Sequence, residues 1–310
     1  MLKFLHAADV HLDSPLSGLD SYEGAPIEAI RGATRKALAN LVRLAIEKRV
    51  AFVILAGDNY DGNWKDYNTG LFFINQMHEL RKAEIPVVLI SGNHDAESRI
   101  TSKLTLPDNV KVLPTDQPGT VKFDRHRVAI HGQGFATQAE LRNLASNYPA
   151  PTPGYFNIGV LHTSLMGREG HATYAPCTLD ELTARGYGYW ALGHVHTQES
   201  VNGTNELRVE FPGNIQGRHI RETGAKGCLI VEVDASDRAK PEFHALDVFR
   251  WEHLKVDASE HERLADVKAA VDDAISEARG KAEGRPLAVR VEISLRPETY
   301  VEISKNPVEF

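Results

Sequence analysis

The sequence predicts an α/β protein: two packed mixed β-sheets flanked by helices, followed by a small C-terminal α+β subdomain. Three observations carry that expectation: short apolar runs that end in glycine-bearing turns, helical stripes between them, and hairpin signals later in the chain. Residues 50–56 stop at Gly57-Asp58, and 85–90 at Ser91-Gly92-Asn93-His94. Residues 156–161 lead into His162, and 187–192 into Gly193-His194. Apolar runs of this length without alternation read as strands buried on both faces.

Between these runs, residues 28–49 place Ile30, Ala33, Ala37, Leu38, Leu41, Leu44 and Ala45 on one helical face. Residues 67–83 and 137–147 show a similar stripe. Thr178-Leu179-Asp180-Glu181 has the spacing of a capping box and opens a short helix. Residues 120–130 read as two strands around Asp124-Arg125-His126, and 199–211 as a hairpin with its turn at Asn202-Gly203. Residues 228–233 and 243–249 read as further strands, so two sheets fit better than one open parallel sheet.

After about residue 250 the pattern restarts. Residues 252–256 read as a strand, 260–279 as a helix and 287–295 as an alternating strand, a small β-α-β unit. The expected domains are therefore 1–249 and 250–310. The second is short of strands for a free-standing fold, so it packs on the first or is truncated.

A chain of 310 residues, 42% hydrophobic and 25% charged, has room for a sizeable core. Its net charge of −7 speaks against a generic nucleic-acid coating protein but not against an enzyme that grips nucleic acid locally. Neither a signal peptide nor a membrane-spanning run is read from it, and Cys177 and Cys228 form no metal-binding pair. Two buried thiols in a reducing compartment, and a cytoplasmic location, are the expectation.

Five motifs at the ends of apolar runs carry the chemistry: Asp9-Val10-His11; Gly57-Asp58 with Asp61; Gly92-Asn93-His94-Asp95; His162; and Gly193-His194-Val195-His196. Each alone is ordinary turn chemistry or a core histidine. Together they offer carboxylate, amide and imidazole donors suited to divalent metals. Loops beyond the carboxyl ends of parallel strands converge, so these side chains can meet. The expected first metal has Asp9, His11, Asp58 and His196; the second has Asp58, Asn93, His162 and His194. A metal pair about 3.5–4 Å apart activates water and clamps an in-line phosphoryl displacement. His94 is the expected general acid, oriented by Asp61, with Asp95 as rival for that role.

In its motif order the chain resembles the calcineurin-like metallophosphoesterase superfamily, through Asp9, His11, Asp58, Asn93, His94, His162, His194 and His196. Three stretches narrow the likeness to SbcD-like DNA repair exonucleases of the YhaO-type branch: residues 11–16, 189–196 and 211–220. The likeness covers about residues 1–250 well. It implies a metallophosphoesterase sandwich, a preference for manganese, DNA phosphodiester hydrolysis and a DNA-capping subdomain after residue 250. It also implies a homodimer and a partner ATPase of the SMC coiled-coil type. Iron, magnesium and zinc suit the same donors. Some archaeal and eukaryotic relatives carry a histidine where this chain has Asp61, whereas bacterial ones often have aspartate.

Arg218, His219 and Arg221, with Lys226 and Arg168 nearby in sequence or motif, form the expected phosphate-contacting patch, and His171 is a further candidate for substrate contact. Two other functions compete with a DNA exonuclease or endonuclease. One is a small-molecule phosphodiesterase or phosphatase with the same metals. The other is a scaffold that has lost catalysis, which has no need of a full ligand set.

Overall fold

The computed structural model describes residues 2–14, 32–61, 67–96, 105–167, 173–202 and 207–305. They form two compact units. One runs to Gln216 and resumes over Lys226–Asp247; the other takes Gly217–Ala225 and the chain from Val248 onward.

The first unit is built on two six-stranded sheets. In one, β1 (Leu2–Ala7), β2 (Val53–Ala56), β3 (Val87–Ile90) and β4 (Val110–Val112) run parallel. The other centres on parallel β6 (Val128–Gly132), β7 (Phe156–His162), β8 (Tyr189–Gly193) and β10 (Arg208–Phe211). Antiparallel strands finish each sheet: β5 (Gly119–Phe123) on β6 and β9 (Glu199–Asn202) on β10; β11 (Gly227–Val233) on β1 and β12 (Ala239–Ala245) on β11. The expected hairpins are present, but the turn after Asn202 lies outside the described residues.

Period-two alternation sorts the buried strands into layers. Leu5, Val53 and Val87 face α1 (Ala33–Glu47) and α2 (Tyr67–Lys82), packing with Leu38, Leu41, Met77 and Leu80. Phe4, Ile54 and Val88 face the second sheet and meet Ile130, Ile158 and Tyr189. On that sheet's outer face Trp190, Leu192 and Val209 pack with Tyr148 and Leu182, the latter on α4 (Leu179–Ala184). Thr178 caps α4 in the expected reciprocal box. Because the central strands of both sheets are parallel, their carboxyl ends open into loops that can carry a site.

Two expectations are corrected. Residues 137–147 form no α-helix, only a single 3-10 turn at Ala145–Asn147. The Glu140 carboxylate accepts the Arg142 backbone N–H and its guanidinium, and the Glu140 carbonyl accepts the Ala175 N–H. Such local bonds displace a helical ladder. The strand expected at 243–249 lies earlier, at Ala239–Ala245. Its edge position tolerates Pro241, which cannot donate to a neighbour.

In the second unit, β13 (Arg250–Asp257) and β14 (Leu287–Ser294) pair in parallel through α5 (Leu264–Lys281), the expected β-α-β unit. A further helix, α6 (Pro297–Lys305), was not anticipated. Cys177 and Cys228 are both buried and unpaired. Among the described residues, no helix is long and apolar enough to cross a membrane.

Candidate metal centre

The five motifs meet at the carboxyl ends of the strands. Asp9 and His11 follow β1, Asp58 follows β2, and Asn93 and His94 open the short α3 (Asn93–Ala96) after β3. His162 is the last residue of β7, and His194 and His196 follow β8. The first two loops continue the ladder beyond the strands, with Asp9 N–H on Gly57 O, His11 N–H on Asp58 O and Leu12 N–H on Asn59 O. Four of the seven expected ligands, Asp9, His11, Asp58 and His194, have left-handed backbone, with φ of 52°, 42°, 51° and 96°. Each such residue costs about 1–3 kcal/mol and persists only where its surroundings fix it, a pattern that gathers at functional sites. Two glycines are required by close approach. A Cβ at Gly92 would strike the Asp58 carboxylate, and one at Gly193 the Ala56 carbonyl.

Donor atoms converge. Asp9, His11 and His196 offer atoms all within 4.8 Å of one another, as do Asp9, Asp58 and His162. His11 Nε2 faces His196 Nε2 at 3.1 Å, an approach of two imidazole nitrogens that calls for a proton or cation between them. His162 Nδ1 lies 2.9 Å from the Ala56 carbonyl, which makes it the donor there and turns Nε2 to Asn93 Oδ1 at 3.1 Å and Asp58 Oδ2 at 3.3 Å. His194 packs edge-on against His162, ring centroids 5.2 Å apart, and its backbone N–H donates to both oxygens of Asp9.

The charges fit a cation. Burial acts to lower the His162 pKa, but Asp58 and Asp9 outweigh it and lift it to about 9. Burial pushes Asp9 up to about 6, and the neighbouring Asp58 adds to the rise. Asp58 itself is held well below the carboxylate range, because His162 and His11 overcome its burial. Two buried carboxylates side by side, one pressed toward its neutral form, are relieved by a positive ion between them. The donor set is nitrogen and oxygen only, as hard-to-borderline divalent ions prefer.

His94 stands beside this cluster. Its Nδ1 lies 3.0 Å from Asp61 Oδ1, its ring meets His11 edge-on, and its side chain is 34% exposed where that of His11 is 1%. Asp61 also accepts the Ser14 hydroxyl at 2.7 Å. Despite partial burial, the bonds from His11 and His94 hold Asp61 far below the ordinary carboxylate range, so it is ionised. Asp95 does not share this place. It is buried and accepts backbone N–H bonds from Asn59, Tyr60 and Gly92, which corrects its reading as an alternative orienting group. Sequence reasoning passed over Ser14 and also Tyr174, whose ring lies 5.4 Å from that of His194. No spacing signal singled them out.

Arg218, His219 and Arg221 belong to the second unit, where Glu222 takes the Arg218 backbone N–H and guanidinium and lies 3.5 Å from His219. Lys226 is corrected: it is buried in the first unit and donates to the His196 carbonyl at 2.9 Å. Arg168 and His171 lie outside the described residues. His6 and His131, expected to be structural, are buried and hydrogen-bonded: His6 to Tyr189 and Leu192, His131 to Thr120 and Asn157.

This chain belongs to the calcineurin-like phosphoesterases: residues 2–198 match that family, and residues 251–307 match the middle domain of metallophosphoesterase YhaO. It is 34% identical to an uncharacterized metallophosphoesterase YhaO of Bacillus subtilis, over 99% of this chain and 76% of that protein. It is 33% identical to the DNA double-strand break repair protein Mre11 of Archaeoglobus fulgidus, over 84% of this chain and 60% of the relative. The Mre11 of Methanopyrus kandleri is 24% identical over 78% of this chain and 56% of its own length. The chain thus spans three quarters of the first relative and little more than half of the last.

Proposed function

We propose that this metallophosphoesterase is a DNA nuclease, cutting phosphodiester bonds as an exonuclease or endonuclease in DNA repair. The observation that carries the reading is the convergence of donors from both sheets with the His94–Asp61 pair beside them. The names of the Mre11 relatives point the phosphoester chemistry toward DNA.

Asp9, His11, Asp58 and His196 would hold one metal, and Asp58, Asn93, His162 and His194 the other. When bound, such a pair, manganese in the first instance, would supply an activated water and neutralise charge on the phosphate oxygens. Asp61, ionised, accepts the His94 Nδ1–H and favours the protonated ring. The His94 Nε2–H is then the proton to be given to the leaving oxygen as the P–O bond breaks. The second unit serves as the DNA-capping part. The reading extends to a homodimer that works with an SMC-type ATPase; light scattering and copurification check those partners. Arg218, His219, Arg221 and His171 are kept in this reading as candidate phosphate or substrate contacts.

The test is turnover by the purified protein with manganese on linear double-stranded DNA, single-stranded DNA and a cyclic nucleotide. Cleavage of DNA well above the cyclic nucleotide is expected. Intact DNA alongside rapid cyclic-nucleotide hydrolysis overturns the nuclease assignment and leaves a small-molecule phosphodiesterase.

A further inference from the structure

One buried carboxylate in the motif region has no place in the chemistry above. Asp95 lies on α3, 6% exposed. Its Oδ2 accepts from the Asn59 backbone N–H (3.1 Å), the Asn59 side-chain amide (3.1 Å) and the Gly92 N–H (3.0 Å), and its Oδ1 from the Tyr60 N–H (2.9 Å). Asn59 and Tyr60 directly follow Asp58; Gly92 directly precedes Asn93. One side chain therefore ties the loop after β2 to the loop after β3. The Asn59 amide extends the tie to the Ile90 carbonyl at 3.1 Å. The loops are joined a second time where the His94 N–H donates to Asp58 Oδ1 at 2.9 Å.

We infer that Asp95 is a positioning residue: its carboxylate clamps the Asp58 and Asn93 loops at the spacing their donor atoms need to share one cation. The inference rests on the two-metal reading of the site. Its physical basis is that buried backbone N–H groups must find acceptors, and that only an ionised carboxylate offers acceptor capacity on both oxygens without a competing donor. The left-handed backbone of Asp58 needs such external support, since an Asp in that conformation is held by its surroundings rather than by its own preference. Asparagine has the same shape but replaces one oxygen with an NH2 group. In either orientation it turns a donor toward at least one N–H of the clamp.

The experiment is calorimetric titration of manganese into the whole metal-free protein and into Asp95→Asn, without substrate. The wild type takes up two equivalents. In the variant the weaker-held equivalent is expected to lose about 10–100-fold in affinity, the usual effect of removing support behind metal ligands. Asp95→Glu, which keeps the acceptors, should recover part of that loss, whereas a merely space-filling role would give no such ranking. A folded Asp95→Asn that binds two manganese ions as tightly as wild type overturns the clamp. Should that variant not fold, hydrogen exchange on the wild type decides. The amides of Asn59, Tyr60 and Gly92 must be strongly protected in the metal-free protein, and free exchange there also overturns it. Failure of the wild type to bind two ions counts against the proposed function instead.

Discussion

The two sheets furnish the site in different ways. The first sends out every oxygen donor, Asp9, Asp58 and Asn93, together with His11, from loops beyond its strands. The second sends out only imidazoles. His162 still sits inside the β7 ladder, opposite Gly193, and only His194 among them has left-handed backbone. In the first sheet, three of the four donors, Asp9, His11 and Asp58, have that conformation, and the fourth, Asn93, lies in a loop tied by Asp95. The nitrogen half is thus fixed by regular strand pairing and close packing. The oxygen half depends on loop-to-loop hydrogen bonds. Perturbing the oxygen half should change metal binding more than folding, and perturbing the nitrogen half should do the reverse.

Asp58 joins the halves, since its carboxylate lies 3.3 Å from His162 Nε2 and 3.8 Å from His11 Nε2. Asp58→Ala is expected to have the largest effect, a loss of on the order of 1000-fold or more in turnover, beyond that of one missing oxyanion donor. Bound manganese, counted by elemental analysis, should fall below two per chain; two retained ions would remove Asp58 from its shared role. His94→Ala tests the neighbouring pair. It should lower kcat by about 100–10,000-fold, the range for general acid–base catalysis, while both metals stay bound. Undiminished kcat at saturating substrate ends its assignment as the acid.

A matched pair of glycine substitutions puts the contrast itself at risk. In Gly92→Ala the new methyl meets the Asp58 carboxylate first and the Asp58 backbone nitrogen behind it, so relief displaces a donor at the expense of metal geometry. In Gly193→Ala it meets the Ala56 carbonyl first, part of the central sheet, and the His162 ring second. Overpacking of this kind costs about 1–3 kcal/mol. Gly193→Ala should show most of that cost in urea unfolding, and Gly92→Ala should show it mainly as weakened manganese affinity. Equal effects in both assays would erase the distinction between the halves.

Much of this was legible in the residues. The runs that became β2, β3, β7 and β8 were plain because strands buried on both faces have no reason to alternate, and each ended in its motif. The convergence of Asp9, His11, Asp58, Asn93, His162, His194 and His196 followed from parallel strands ending at one edge. What stayed hidden depends on partners distant in sequence. Residues 137–147 have a helical stripe, yet Glu140 finds nearer bonds with Arg142 and Ala175. Asp95 looked like a companion to His94 because the two are adjacent, but its side chain turns to backbone amides 35 and 36 residues away. The left-handed φ of Asp9, His11 and Asp58 is only hinted at by residue type, since aspartate and histidine enter that region more often than most side chains.

His6 gives the smallest effect and probes the interior joint between the sheets. It lies on β1, three residues before Asp9, with Nδ1 3.0 Å from the Tyr189 hydroxyl and Nε2 3.2 Å from the Leu192 carbonyl on β8. Nε2 therefore carries the proton and Nδ1 accepts, so the ring is neutral. Burial lowers its pKa to about 3, only partly offset by the bond to Leu192. Above pH 6.5 folded and unfolded chains both hold it neutral, and pH has no effect through this group. As pH falls below 6.5 the unfolded chain takes up a proton that the folded one refuses, so stability declines until pH reaches about 3. At pH 5 the loss amounts to about 2 kcal/mol. Gln offers an N–H for Leu192 and an acceptor for Tyr189 but cannot titrate, so His6→Gln should remove that share of the decline. Urea midpoints at pH 7 and pH 5, compared between the two proteins without metal, measure it; parallel declines would show that His6 takes up its proton in the folded state and that the joint between the sheets is looser than its hydrogen bonds indicate.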